Sequence, residues 1–495
     1  MIVGTRVAPP RAGAMLESLR GLGYSAAGAL ADIVDNSISA GATEVKIDFT
    51  WCENLSRISV LDNGRGMTDS ELEVAMQLGG KSPLDARDAS DLGRFGMGLK
   101  TASFSQCRRL TVASVKNGVL SCLRWDLDAL AANPSDGWLL FEGTAHGSEK
   151  LLSPLFGHDS GTLVLWEEMD RIISKGYVAD DFLDLICRVE AHLSMVFHRF
   201  LQGIKPSLHL ILNGRKISPW DPFMIGHPSK PWNSPVAKIP TDTGVVQVEC
   251  HVLPHRDKLT PREFEVGGGA EGWTAQQGFY VYRNQRLLVA GGWLGLGLGR
   301  AWNREEAHRL ARISLDIPNT ADADWKIDIR KSTARPPVSL RPWLTRLAED
   351  TRERARKVFA YRGSPILGVG GVVVDQAWRV EHSKSGARYR IDEKHPAISA
   401  ALAASGASLP IIKSMIRVIE ETVPVQRIWL DTAENKDIPL TGFAGEPPEN
   451  VIEVLKTIFD DMVGRRCISP DLAKKMLLST EPFQNYPTLI VGLPN

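Results

Sequence analysis

Three short segments in the first hundred residues carry side chains of types and spacings that could do chemistry. In Asp32-Ile33-Val34-Asp35-Asn36, Asp32 and Asn36 are four apart, so on a helix both project from one face. A carboxylate placed there can orient and deprotonate a water. An amide oxygen is a hard ligand suited to Mg²⁺. In Asp62-Asn63-Gly64-Arg65-Gly66-Met67 a carboxylate stands beside two glycines. The carboxylate accepts hydrogen bonds of the kind an exocyclic amine such as adenine N6 donates. Gly64 and Gly66 permit close backbone approach and unusual φ values. The third segment, Gly93-Arg94-Phe95-Gly96-Met97-Gly98-Leu99-Lys100, is a glycine-rich run entering a helical pattern. Backbone N–H groups at such a point bind phosphate, and Lys100 adds charge.

Taken singly, each segment has a plainer reading: a polar pair at a helix end, a hairpin turn, a glycine loop. The third is spaced G-x-x-G-x-G, which is neither the dinucleotide fingerprint nor a Walker A sequence. The order and spacing of all three together carry the signal.

The elements that must position these segments can be read from periodicity. Met15 to Ile38 repeats apolar residues at helical spacing, interrupted at Gly21-Leu22-Gly23, and Leu30, Ile33, Val34 and Ile38 mark one helix face. Gly41-Ala42-Thr43 ends that helix, and Val45, Ile47 and Phe49 alternate as a strand. Further strands are expected at Ile58 to Leu61, Leu110 to Val115, Val119 to Leu127 and Thr162 to Trp166. Gly79 to Asp91 is polar and turn-rich and reads as a mobile loop. These elements make a first domain of residues 1–175.

A second domain, 176–362, starts with a long helical pattern, Asp180 to Leu201. Strands follow at Leu208 to Leu212, Val245 to Val252, Gly278 to Tyr282 and Arg312 to Ile317, with Gly267-Gly268-Gly269 read as a flexible loop. A charged helix, Leu340 to Tyr361, closes it. Beyond a linker at Gly363 to Gly371, residues 372–495 read as a small mixed α/β domain.

The 495 residues suffice for two or three cores, and 43% apolar with 23% charged content is ordinary for a globular protein. Lys plus Arg equals Asp plus Glu at 58 each, so a basic surface, if there is one, is local. The six cysteines form no C-x-x-C pair; neither a zinc site nor a disulfide framework is suggested, and a cytoplasmic setting is expected. No signal-type apolar region and no membrane-length apolar run are present in the sequence.

The three segments in this order resemble the GHKL superfamily of ATP-binding proteins, which includes MutL, the MORC proteins, type II topoisomerases and heat-shock chaperone ATPases. Asp32 to Asn36 matches the family's N-box, Asp62 to Gly66 its D-x-G-x-G adenine motif and Gly93 to Gly98 its lid. Gly161-Thr162 matches the fourth motif, whose threonine helps hold adenine. Ala31 to Thr43 and Gly93 to Ser103 are most similar to MORC and MutL, and more narrowly to bacterial MORC-like proteins associated with restriction or phage defence. The resemblance spans roughly residues 1–360.

It implies an α/β sandwich of the GHKL (Bergerat) type, then a transducer-type βαβ domain and the small α/β tail. It also implies ATP and Mg²⁺ as ligands, with Asp32 as general base and Asn36 on the metal. Asp62, Gly64, Gly66, Met67, Thr162, Gly93, Arg94, Phe95, Gly96, Met97, Gly98 and Lys100 would line the nucleotide. Lys331 in the transducer would sense the γ-phosphate, with Arg330 as its rival. One departure is plain: the family usually has glutamate at position 32. Aspartate is one methylene shorter, so binding is expected to survive and turnover to be slow.

The function implied is a nucleotide-gated dimer clamp acting with DNA or with a nuclease or helicase partner. A MutL-like repair factor and a heat-shock-type chaperone are the alternatives. The charged helix carries Arg341, Arg346, Arg352, Arg354, Arg356 and Lys357, with Arg335 just before it. Glu349, Asp350 and Glu353 sit among them at ion-pairing spacings, so a solvated helix is expected ahead of a DNA-binding one.

Overall fold

The computed structural model describes residues 11–494 apart from 22, 80–97, 133–136, 323, 329–330, 332, 361–374, 384–385, 427, 429–446, 466 and 484–485. The chain divides into two compact units, Met1–Ala360 and Tyr361–Asn495.

In the first unit, helices α1 (Ala12–Arg20) and α2 (Ala26–Ser39) precede the sheet. Ser25 caps α2 by accepting from the Gly28 amide at 3.1 Å. Ala29 through Asp35 and Ser37 are all buried, so α2 is a core helix that carries Asp32, Asp35 and Ser37 inside. That pattern is informative, because buried carboxylates need partners.

Strand β1 (Glu44–Thr50) alternates buried and exposed positions and pairs antiparallel with β2 (Arg57–Asp62). Helices α3 (Asp69–Met76) and α4 (Gly98–Phe104) follow. Strands β3 (Arg109–Lys116) and β4 (Val119–Asp126) form a hairpin. It turns at Asn117-Gly118, both at positive φ, the geometry that matches strand twist. After β4 come α5 (Leu127–Ala131), β5 (Phe141–Glu142) and β6 (Ser160–Glu167), and β6 inserts between β3 and β2. Helices α6 (Ala179–Val196) and α7 (His198–Leu201) lead to β7 (His209–Leu212) and β8 (Arg215–Lys216).

The sheet order is β5-β4-β3-β6-β2-β1-β7-β8. Leu208 to Leu212, expected in the second domain, thus belongs to the first sheet, where β7 lies parallel to β1. The strand is short and its partner lies about 160 residues away, so sequence proximity to the next domain misplaces it. Helices α2 and α6 share one core with the sheet, including Leu30, Val34, Val45, Val60, Val112, Phe182 and Leu193.

A second sheet holds β9 (Trp232–Asn233), β10 (Ala237–Thr241), β11 (Gly244–Val252), β12 (Gly278–Arg283), β13 (Arg286–Ala290) and β14 (Ala311–Ile317). Its order is β10-β11-β14-β12-β13, with β9 beside β11. β12 and β14 run parallel, and β12 is buried on both faces. Phe279 and Val281 join a core with helix α9 (Arg341–Ala360), while Tyr280 and Tyr282 pack with Phe223 and Leu287.

Two sequence expectations change here. Gly267 and Gly268 end helix α8 (Pro261–Gly268) rather than forming a loop. A Cβ at either would lie within 3 Å of the Trp273 ring, so these glycines let a helix and an indole meet closely. On α9, Arg352 is 6% exposed and lies over the rings of Trp293 and Trp302 at 4.7 and 4.6 Å. It is a packing residue, stabilised by cation–π contact. Arg354 pairs with Asp350 and Lys357 with Glu353, as the spacing suggested.

The second unit has a hairpin, β15 (Trp378–Ser383) and β16 (Gly386–Ile391). Its helices are α10 (Pro396–Ala404), α11 (Leu409–Glu421), α12 (Glu449–Asp460), α13 (Pro470–Leu477) and α14 (Pro487–Val491). Leu455, Ile458, Phe459, Leu477 and Phe483 form its core. Among the described residues, no single helix is long and apolar enough to cross a membrane.

Candidate nucleotide site

Three neighbouring strands place a polar row across the first sheet. Asp62 ends β2 opposite Thr162 on β6, and Thr162 lies opposite Ser114 on β3. Directly opposed residues share a face. Asp62 is 8% exposed; Ser37 donates to its Oδ2 at 2.8 Å and the Gly64 amide to its Oδ1 at 2.9 Å. Burial nevertheless holds its pKa above the ordinary value, outweighing those donors. The Ser114 hydroxyl lies 2.9 Å from the Thr162 hydroxyl, donates to the Gly161 carbonyl and accepts from the Met67 amide.

The backbone approaches itself closely at this row. Gly66 has φ +65, and a Cβ there would sit inside the shell of the Val115 carbonyl oxygen. A Cβ on Gly161 would stand 2.6 Å from the Asp62 carbonyl oxygen. Only glycine fits either position.

One and a half turns earlier on α2 lies Asp32, 4% exposed. Tyr24 donates to its Oδ2 at 3.0 Å and Lys331 to its Oδ1 at 3.0 Å. A Cβ on Gly98, the last glycine of the third motif, would be 3.8 Å from Oδ2. Lys331 also donates to Asp35, which is 1% exposed and accepts from Arg286 Nε at 3.2 Å on both oxygens. Arg286 Nη2 stands 3.7 Å from Asp32 Oδ1.

Burial would raise the Asp35 pKa, but Arg286 and Lys331 outweigh it and hold the group below its usual value. Burial and the Arg286 charge push His192 on α6 down to about 4. Lys331 itself has φ +53, a conformation unfavourable for a residue with a Cβ and often found where function holds strain.

The remaining expected residues fall as follows. Asn36 is exposed on α2, between Asp32 and Ser37 in the chain. Lys100 is 3% exposed, and its ammonium donates to the Ala75 carbonyl at the end of α3 at 2.8 Å. Gly93, Arg94, Phe95, Gly96, Met97 and Arg330 lie outside the described residues.

Sequence reasoning missed Tyr24, Asp35, Arg286, Ser37 and Ser114. Asp35 stands inside the first motif and Ser37 beside it, both off the four-residue spacing that joins Asp32 to Asn36. Tyr24, Arg286 and Ser114 carry no local signal.

Residues 24–162 match the family described as "Histidine kinase-, DNA gyrase B-, and HSP90-like ATPase". "ATPase morc-1" of Caenorhabditis elegans is 33% identical over 95 residues, which is 19% of this chain and 11% of that protein. "ATPase MORC2" of Homo sapiens is 32% identical over 99 residues, 19% of this chain and 10% of that one. "DNA mismatch repair protein MutL" of Rhodospirillum rubrum is 33% identical over 141 residues, 28% of this chain and 19% of that one. The matched segments thus span between 10% and 19% of these relatives' lengths. The solved ATPase and transducer domains of DNA topoisomerase II from Balamuthia mandrillaris align with TM-score 0.37 at 14% identity, over 66% of this chain and 84% of that one. Residues 24–162, with their α/β fold and the three motifs, are a domain of the GHKL ATPase family, related to the MORC ATPases and to MutL.

Proposed function

We propose that this chain binds and hydrolyses ATP at the site built on α2, with Mg²⁺, and works as a nucleotide-dependent dimer clamp. The observation that carries this reading is the run of functions along one buried helix. Ser37 touches Asp62 at one end, and Asp32 meets Lys331 and Gly98 about 7.5 Å away along the axis. Asn36 presents an amide oxygen between them.

The residues fit the ligand. Asp62 is an acceptor for the adenine amine, and Thr162 and Ser114 add hydroxyls beside it. Asn36 offers one hard oxygen, and Mg²⁺ usually takes the rest of its shell from phosphates and water. When bound, the ion neutralises phosphate charge. Asp32 takes a proton from water as the water oxygen bonds to the γ-phosphorus. The bond from that phosphorus to ADP breaks, yielding ADP and phosphate. Lys331 must first leave Asp32 Oδ1, and the γ-phosphate offers its ammonium an alternative partner.

A DNA transaction in the cytoplasm, in a restriction or phage-defence setting with a nuclease or helicase partner, is the proposed context. The likeness to MutL supports the DNA link and keeps mismatch repair as the second reading.

The test combines calorimetry and turnover. Asp62→Ala should lose ATP binding while remaining folded. Asp32→Asn should bind ATP normally and turn over ~10²-fold more slowly. Undiminished ATP affinity in Asp62→Ala would remove the adenine assignment, and wild-type turnover in Asp32→Asn would remove the base.

A further inference from the structure

The Tyr24 hydroxyl has a buried position, 9% exposed for the residue, and it is spent on the carboxylate proposed as the base. Thr101, fully buried on α4, acts on the same phenol through its side chain and offsets part of the rise in the Tyr24 pKa. Gln106 fixes the backbone by donating to the Tyr24 carbonyl at 3.1 Å. Tyr24 therefore connects α4, whose first residue Gly98 closes the glycine-rich motif, to Asp32 on α2.

The two oxygens of Asp32 are held by different elements. Oδ2 accepts from Tyr24, within the nucleotide-binding domain itself, and Oδ1 accepts from Lys331, about 300 residues away. Release of Lys331 takes away the hydrogen bond to Oδ1 and leaves that oxygen facing only the Arg286 guanidinium, 3.7 Å away and beyond hydrogen-bond reach. The carboxylate could then rotate about its Cβ–Cγ bond and offer either oxygen in any direction. A phenol still bound to Oδ2 prevents this and keeps Oδ1 aimed where Lys331 had been. Burial, then the Asp32 charge, push the Tyr24 pKa far up, so the hydroxyl keeps its proton and remains a donor at any working pH.

We propose that Tyr24 is the positioning residue for the water-activating carboxylate, holding Asp32 Oδ2 so that Oδ1 faces the attacking water. This rests on the reading of Asp32 as the base. The test is a mutant cycle in the whole 495-residue chain, with single-turnover ATP hydrolysis and the affinity of a non-hydrolysable ATP analogue both measured.

Tyr24→Phe keeps the ring and should slow hydrolysis about tenfold, the usual scale of one hydrogen bond to a charged group, with analogue affinity within about twofold of wild type. In the Asp32→Asn background the same change should do nothing further, because there is no charged base left to aim. Thr101→Val approaches the same chain from α4. It should slow hydrolysis about threefold alone and not at all on top of Tyr24→Phe. That second cycle decides the matter if Tyr24→Phe in Asp32→Asn cannot be read above the uncatalysed rate, or if Tyr24→Phe lowers the melting temperature.

Wild-type hydrolysis in Tyr24→Phe would overturn the proposal, as would equal and additive losses in either cycle, which a packing role would give. Wild-type hydrolysis in Asp32→Asn would instead overturn the base assignment on which the proposal stands.

Discussion

Asp32, Asp35, Arg286 and Lys331 share one buried space between α2 and the second sheet, two anionic groups against two cationic ones. Ion pairs taken out of water are stable only while the charges balance and the remaining lone pairs are used. Lys331→Ala should therefore destabilise the nucleotide-free chain by about 3 kcal/mol, since it leaves an excess carboxylate buried. Lys331→Ala combined with Asp35→Asn restores the balance and should recover most of that loss. Urea denaturation of both variants checks this; a double variant no more stable than the single would show that packing, not charge, dominates. Loss of Lys331 should also weaken dimer formation with a non-hydrolysable analogue, since it removes the proposed handover to γ-phosphate.

Individual elements place the site through close approach rather than through side-chain bulk. The turn after β2 reaches Val115 only because position 66 has no Cβ and a φ of +65. Gly66→Ala should cost at least ~2 kcal/mol and displace the Met67 amide from Ser114, with ATP affinity falling alongside stability. Normal melting and affinity in this variant would mean the turn has another conformation open to it.

Helix α9 gives a second case. Arg352 lies between two indoles, so Arg352→Ala should destabilise the first unit by about 1–3 kcal/mol. DNA affinity, where present, should keep its salt slope in this variant. A flattened slope with unchanged stability would return Arg352 to the surface role its neighbours suggest.

For the whole molecule, acid sensitivity follows from buried histidines. Burial is the leading cause that lowers His192 to about 4 and both His198 and His251 to about 3, from 6.5. Each folded pKa lies below the unfolded one, so the unfolded chain binds more protons between those values. Stability contributed by the neutral rings is complete above about pH 6.5 and is lost as pH falls towards 4 and below. Asp35, also lowered, adds a loss of the same sign beneath its ordinary 3.8. The melting temperature of the first unit should drop by on the order of 5–10 °C between pH 7 and 4.5. A flat profile across that range would mean that these rings gain partners or water when they charge.

What the sequence determined by itself is local. Helix periodicity located α2 and α6, and alternation located β1, because burial on one face repeats with the element's own period. The three motifs were legible because each is contiguous: Asp32 with Asn36, Asp62 with its glycines, Gly98 with Lys100. The tertiary structure decided everything that joins distant positions. It brought Tyr24, Arg286 and Lys331 to α2, set Ser114 opposite Thr162, returned β7 to the first sheet and buried Arg352 among tryptophans. The reason is physical. A hydrogen bond across 250 or 300 residues leaves no period and no spacing in the chain, since its energy comes from desolvation and geometry that exist only once both sheets have packed.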